Sequence, residues 1–298
     1  MKMKTLRKKR GDGLTAFLFL LPAGLCLLVF KYWPLFSNFQ LSTTSWNLFT
    51  DPKNVGLANF KAIFKSETFW KILKNTFQFT IWSTLFSVSM GFIIAVCLQG
   101  KKGKGVAVLK TLFFIPNITT ASAVALLWKW IFDFDYGLMG QLFGFFGKQS
   151  PKWLLDPKLA MWVIISLSVW RSMGYVMLIY NSGLAGISND VYEAAEIDGA
   201  SKLQTVFRIT LPLLKPTTYF LLTTTFIQSM QVFDIVSVMT NGGPYGSTNV
   251  LNLYIYQMAF QQNKAGYASA LSVILFFILL VAVVLQRRIS RDKEEING

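Results

Sequence analysis

Residues 188–216 read SNDVYEAAEIDGASKLQTVFRITLPLLKP. The stretch lies between two long apolar runs, so it forms a loop between membrane spans. It is not built as an idle connection. Asp190 is placed to cap a helix, and Glu193, three residues on, completes a D-x-x-E box. Val191, Ala194, Ala195 and Ile197 share one apolar face made mostly of small side chains. Asp190, Glu193, Glu196 and Asp198 rim that face with acid. Gly199 falls where a left-handed C-cap would end the helix. A second short helix is expected over 202–208, with Pro212 stopping it and Pro216 opening the next span. A short helix with a small-residue ridge and a glycine stop suits insertion into a cytoplasmic partner. The competing reading is a plain surface helix on a cytoplasmic loop.

Outward from this loop, 159–184 reads as a fourth span with Arg171 near its middle. Residues 217–239 read as a fifth span carrying Gln228, Gln231 and Asp234. Next comes an external loop, 240–263, containing Asn241-Gly242-Gly243-Pro244, and then a sixth span, 266–285. On the other side, 112–132 is a third span that Pro116 breaks near its start. Asn117, Thr119, Thr120 and Ser122 follow the break, and Lys129 near the far end is expected to snorkel outward. An aromatic external loop, 133–158, with an interfacial helix joins spans three and four. Residues 76–98 are span two. The preceding stretch, 37–75, is an external loop with a surface helix from Leu57 through Trp70. The first span, 14–36, follows a basic tail, 1–13, and ends on Lys31-Tyr32-Trp33, which suits a membrane interface. A signal peptide also starts basic, but the run exceeds the usual apolar core and no A-x-A site follows. The chain thus divides into a tail (1–13), a first span (14–36), an external loop (37–75), a core of five spans (76–286) and a basic tail (287–298).

Composition supports a membrane class. Of the 298 residues 53% are hydrophobic, mean hydropathy is +0.45, and only 14% are charged, against about 25% for a soluble domain. The net charge of +15 would suit nucleic acid, but the bases cluster beside apolar runs, which is membrane topology. With both termini inside, Lys and Arg favour the inner segments by roughly two to one. That places residues 188–216 in the cytoplasm. Cys26 and Cys97 fall inside spans and read as small core residues. No histidine and no cysteine cluster points to a metal site. Gly100 and Gly105 have phosphate-loop spacing, but Val106 stands where the lysine belongs, so no ATPase is expected in this chain. The fold class is therefore all-α: a polytopic membrane protein with six transmembrane helices and a cytoplasmic coupling helix.

Glu193-Ala194-Ala195, Asp198-Gly199-Ala200, Ile209 and Leu211-Pro212 together resemble the EAA loop of binding-protein-dependent ABC importer permeases. Phe233-Asp234 followed by Thr240-Asn241-Gly242-Gly243-Pro244 resembles the F-D…T-x-G-G-P signature of the carbohydrate branch. Tyr254-x-Tyr256, Phe260 and Gly266-Tyr267-Ala268-Ser269-Ala270 fit its last third. The chain is similar to the first permease subunit of maltose-type and glycerol-phosphate-type importers. The resemblance implies a second permease subunit, two copies of an ATPase that holds ATP and Mg, and an extracellular substrate-binding protein. It implies no cofactor in this chain, and it makes residues 190–200 the ATPase-coupling element.

For a sugar, the chemistry needs hydroxyl partners beside aromatic faces. Asn117, Thr120, Arg171, Tyr175, Gln228, Gln231, Phe233 and Asp234 are the residues expected along the path. Arg171 is too costly to leave toward lipid, so it should face the interior, with Asp234 or a backbone carbonyl as partner. Asn117, Gln228 and Gln231 could equally serve helix packing alone. Gly242, Gly243 and Pro244 form either a tight external turn or a loop near the pathway mouth. A secondary transporter would need several coupling carboxylates, and the spans offer only Asp234. It would also show paired broken helices in two repeats, which are not evident here. A membrane enzyme would need a nucleophile–base constellation, and none is present.

Overall fold

The computed structural model describes residues 11–101 and 103–295. The basic cluster at the amino terminus, Lys102 and the last three residues lie outside them. Two compact units are distinguished, residues 1–62 with 258–274, and residues 63–257 with 275–298.

In the first unit, α1 (Gly11–Leu27) continues through a π turn (Leu28–Tyr32) into α2 (Trp33–Ser42). Together they make an apolar helix, Ala16–Ser42, long enough to cross a membrane. It runs past Phe36, where the sequence suggested an end. Lys31 lies inside its π turn rather than at its tip. The terminus is tied off by hydroxyls bonding back to the last carbonyls: Ser42 to Phe39, Thr43 to Gln40 and Thr44 to Leu41. Strands β1 (Thr44–Ser45) and β2 (Lys53–Asn54) then pair antiparallel. Asn59, at the start of α3 (Ala58–Lys65), locks this hairpin by donating to the Ser42 and Thr44 carbonyls.

In the second unit, α4 (Glu67–Leu98) packs most extensively on α8 (Ala160–Ala185), and both also meet α12 (Lys215–Met230). Ser66 caps α4 by accepting from the Phe69 amide. The span therefore begins at Glu67, and Phe69 and Trp70 belong to it rather than to a surface helix. Hydroxyl residues Thr76, Thr80, Ser83, Thr84 and Ser87 recur along one buried face of α4. Small polar side chains let membrane helices approach closely, and Ser87 shares a 2.6 Å hydrogen bond with Ser172 of α8. Helix α5 (Lys104–Ile118) crosses α8 at Gly174, where any Cβ would run into the Phe113 carbonyl. This helix starts at Lys104, ahead of position 112 where the third span was expected to begin.

Among the described residues, four helices are long and apolar enough to span: Ala16–Ser42, Glu67–Leu98, Ala160–Ala185 and Ala265–Gln286, the last within α15 (Ala265–Glu295). The pair of α5 and α6 (Ala121–Ile131), bent by 100° at the intervening break, makes a fifth when the two are counted as one broken span. The expected span over 217–239 is also broken, into α12 and α13 (Asp234–Met239). Pro116 does not end its helix. The chain turns at Thr119, which is extended, and Thr120. Lys129 is exposed, and its Nζ lies 3.5 Å from the Val238 carbonyl. Cys26 and Cys97 are exposed on their helices, not in the core. Helix α7 (Leu138–Phe145) lies between α6 and α8.

Candidate functional site

The two broken helices meet. Helix α13 packs on α6, and the ends of α5, α6, α12 and α13 converge on a cavity of about 290 Å³. Asn117, Arg171, Gln228, Gln231, Phe233 and Asp234 all line it. Thr120 and Tyr175 are not among its lining residues. Thr120 sits at the turn into α6, and Tyr175 packs on the apolar cluster around Tyr180. Ser168, Ser172, Thr225 and Ser229 add hydroxyls to the wall. Isolated serines and threonines in an apolar run carry no signal of their own, so sequence reasoning missed them.

A broken membrane helix exposes carbonyls that lipid cannot satisfy, so a protein group must. At the first break Arg171 does this, its Nε donating to the Pro116 carbonyl at 3.4 Å and its terminal nitrogen to Thr119 at 3.2 Å. A cation at the carboxyl end of α5 also suits the helix dipole. At the second break the Asn252 amide, from α14 (Leu251–Tyr256), donates to the Gln231 carbonyl at 2.9 Å. Asp234 falls in the first turn of α13, the favourable end for an acid, and within electrostatic reach of Arg171. Both charges thus line the cavity, Arg171 half-buried and Asp234 exposed, with backbone carbonyls as the bonded partners of Arg171. No Pro or Gly marks Gln231-Val232-Phe233, so local sequence does not announce this break. The structure thus holds breaks at Thr119–Thr120 and at Gln231–Phe233.

The external loop is pinned by α4. Lys71 Nζ donates to the Tyr245 carbonyl, Asn75 to those of Gly246 and Asn249, and the Leu251 amide to Thr76 Oγ1. Within the loop, the Thr248 hydroxyl donates to the Gly243 carbonyl and shares a bond with Thr240. Gly242, Gly243 and Pro244 therefore belong to an ordered, braced loop.

In the loop 188–216, the first helix is α9 (Asn189–Ile197), and its cap is Ser188, which accepts from the Asp190 amide. Asp190 is a first-turn acid, not the cap. The capping box lies instead on α10 (Lys202–Thr205), between Ser201 and Gln204. Gly199 has φ +74°. The Ala200 amide reaches the Ala195 carbonyl and the Gly199 amide reaches Glu196, a Schellman end. Ala195 is 5% exposed, so it packs inward on this chain, whereas Val191 and Ala194 face out. Ile197 (86%), Leu203 (71%) and Phe207 (62%) are the large exposed apolar groups nearby. Leu203 and Phe207 were not singled out from sequence. Pro212 does not stop the second segment, which runs through a π turn (Val206–Thr210) into α11 (Leu211–Leu213). Glu193 and Asp198 are exposed.

Residues 87–295 match the family described as "Binding-protein-dependent transport system inner membrane component". The chain belongs to this family. It is 38% identical over 289 residues to the "Probable ABC transporter permease protein YesP" of Bacillus subtilis (strain 168), covering 95% of this chain and 93% of the relative. It is 30% identical over 293 residues to the "Trehalose/maltose transport system permease protein MalF" of Thermococcus litoralis, covering 98% of each. Among solved structures it superposes with TM-score 0.84 and 25% identity on a chain of a bacterial ABC transporter involved in import of the acidic polysaccharide alginate, covering 96% of this chain and 98% of that one. The chain is thus a multi-pass membrane permease subunit of an ABC importer with the type I permease fold, and ATP hydrolysis belongs to a separate subunit.

Proposed function

We propose that this permease carries a sugar or oligosaccharide, and that the cavity between the two broken helices is the substrate path. The observation that carries this reading is the joint placement of Arg171, Asp234, Asn117, Gln228 and Gln231 beside Phe233 in one cavity. Amides, charges and hydroxyls supply partners for sugar hydroxyls, and the ring supplies an apolar face. Relatives named for trehalose/maltose and a structural neighbour named for alginate support the same class. The loop 188–216 couples the spans to the ATPase through the exposed side of α9, with Glu193, Ala194, Asp198 and Gly199 at the contact and Ala195 and Ala200 holding its shape. The assembly contains a second permease subunit, two ATPase subunits binding ATP and Mg, and an extracellular binding protein. Both termini face the ATPase, in the cell membrane. The test is uptake into proteoliposomes by the assembled transporter. Its panel holds neutral oligosaccharides, uronate oligosaccharides and glycerol phosphate. ATP-dependent saccharide uptake supports the reading, and uptake of glycerol phosphate alone contradicts it.

A further inference from the structure

A second cavity, of about 380 Å³, lies farther along the same helix pair, lined by Lys129, Phe132, Asp133, Phe134, Ser237 and Asn241 among others. The first cavity touches α6 at Ala121 and α13 at Asp234 and Ile235. The second lies at the far end of both, ~12 Å away along α6 at 1.5 Å per residue. The two cavities carry one chemical kit. The first offers Arg171, Asp234, Asn117, Ser168 and Phe233. The second offers Lys129, Asp133, Asn241, Ser237 and the two phenylalanines. In each, a cation, a carboxylate, a primary amide and a hydroxyl stand beside aromatic surface.

Lys129 Nζ donates to the Val238 carbonyl and Asp133 Oδ1 accepts from the Asp135 and Tyr136 backbone amides, whereas the Asn241 side chain is open. Asn241 is exposed and holds a left-handed backbone at φ +49°, with its amide hydrogen bonded to the Val236 and Ser237 carbonyls. Backbone bonds thus fix its position while its side chain stays open. The wall is rigid, because the Thr240–Thr248–Gly243 hydrogen bonds and the Lys71 and Asn75 contacts brace the loop that forms it. On the opposite wall, Phe132 is held in place by Trp128 and Trp153. A volume of this size accommodates a single sugar ring.

We infer that this second cavity is a subsite for one pyranose unit of a saccharide whose neighbouring units occupy the first cavity. This rests on the reading given under Proposed function. The subsite makes the permease sensitive to chain length: only a saccharide long enough to bridge ~12 Å engages both cavities.

The experiment measures uptake by the complete transporter in proteoliposomes, using maltose-type and galacturonate oligosaccharides from the mono- to the tetrasaccharide. Asn241→Gly removes the amide while keeping a residue at ease with positive φ. Ser237→Ala removes the hydroxyl. In both variants kcat/KM for tri- and tetrasaccharides should fall about tenfold, the scale of a lost sugar hydrogen bond, while mono- and disaccharides stay within about twofold. An equal fall at every length, as from a docking or assembly defect, overturns the subsite. So does an unchanged tetrasaccharide. Wild-type transporter that moves no saccharide of either series overturns the substrate class itself, a result distinguishable from either of these.

Discussion

The loop 188–216 and the cavity formed by the helix breaks are built by opposite means. The loop is specified locally: Ser188 and Ser201 cap its helices, Gly199 ends the first, and each bond spans only a few residues. The cavity is specified at a distance. Arg171 reaches carbonyls 52 and 55 positions away in sequence, and Asn252 reaches one 21 away. A surface element that must stay rigid while it meets a partner benefits from local bonds. A pathway that must open benefits from bonds made between separate helices, which can be exchanged as those helices move.

The largest effect should come from Gly174→Leu. With the Phe113 carbonyl against this position, a side chain must push α5 off α8 and dismantle the cavity wall. The protein should fail to accumulate as a folded, detergent-stable species, seen by size-exclusion chromatography. A well-behaved variant would mean that the helix crossing does not support the cavity.

Next is Arg171→Ala. It leaves two carbonyls of a broken helix without partners, at about 1–3 kcal/mol for a buried group, and leaves Asp234 unbalanced. Thermal stability and transport should both drop. Arg171→Ala/Asp234→Asn should be milder than the single variant, because no lone acid remains. Equal loss in the two would show that Asp234 plays no part in balancing Arg171.

Gly199→Val should be smaller in stability and sharper in function. Nothing stands within 4 Å of its would-be Cβ, so the cost comes from φ +74° alone, about 1–2 kcal/mol for a left-handed L-residue. Membrane insertion should survive, while uptake and substrate-stimulated ATP hydrolysis fall together. Full coupled uptake would remove the loop from the coupling role. Ala195→Phe belongs with stability rather than with docking, since Ala195 is buried in this chain. Smallest should be Glu193→Ala. Glu193 is exposed and Ser188 already caps the helix, so folding should change by only about 0.5 kcal/mol. Any large loss of coupling would then reveal an ionic contact with the ATPase.

The same contrast explains what the sequence made legible. Gly199, the apolar runs and the family motifs are local signals, and they sufficed for the fold class and for the glycine-terminated helix of the loop 188–216. The D-x-x-E pattern points to Asp190 as the cap, but Ser188, two residues earlier, holds the position. Six of the residues expected along the path share one cavity because polar residues inside spans must turn inward. Thr120 does not join them because it sits in the turn into α6, and Tyr175, one turn beyond Arg171 on α8, packs instead on the apolar cluster around Tyr180. The break at Gln231–Phe233 had no proline or glycine to mark it. It depends on Asn252, a contact that no local pattern encodes. Cys26 and Cys97 show the reverse error: an apolar neighbourhood in sequence marks membrane, which includes its lipid-facing surface, as readily as core.

The substrate path is tested most directly by single cysteines at Gln228 and Ser172 in a Cys26→Ser/Cys97→Ser background, needed because both native thiols are exposed. A charged, membrane-impermeant thiol reagent is applied to the assembled transporter in proteoliposomes, with and without ATP and the transported saccharide. Labelling at both positions that changes with ATP and is protected by the saccharide is the result predicted. Labelling that never occurs, or that proceeds at one rate whatever the nucleotide and sugar, would contradict a substrate path between the broken helices.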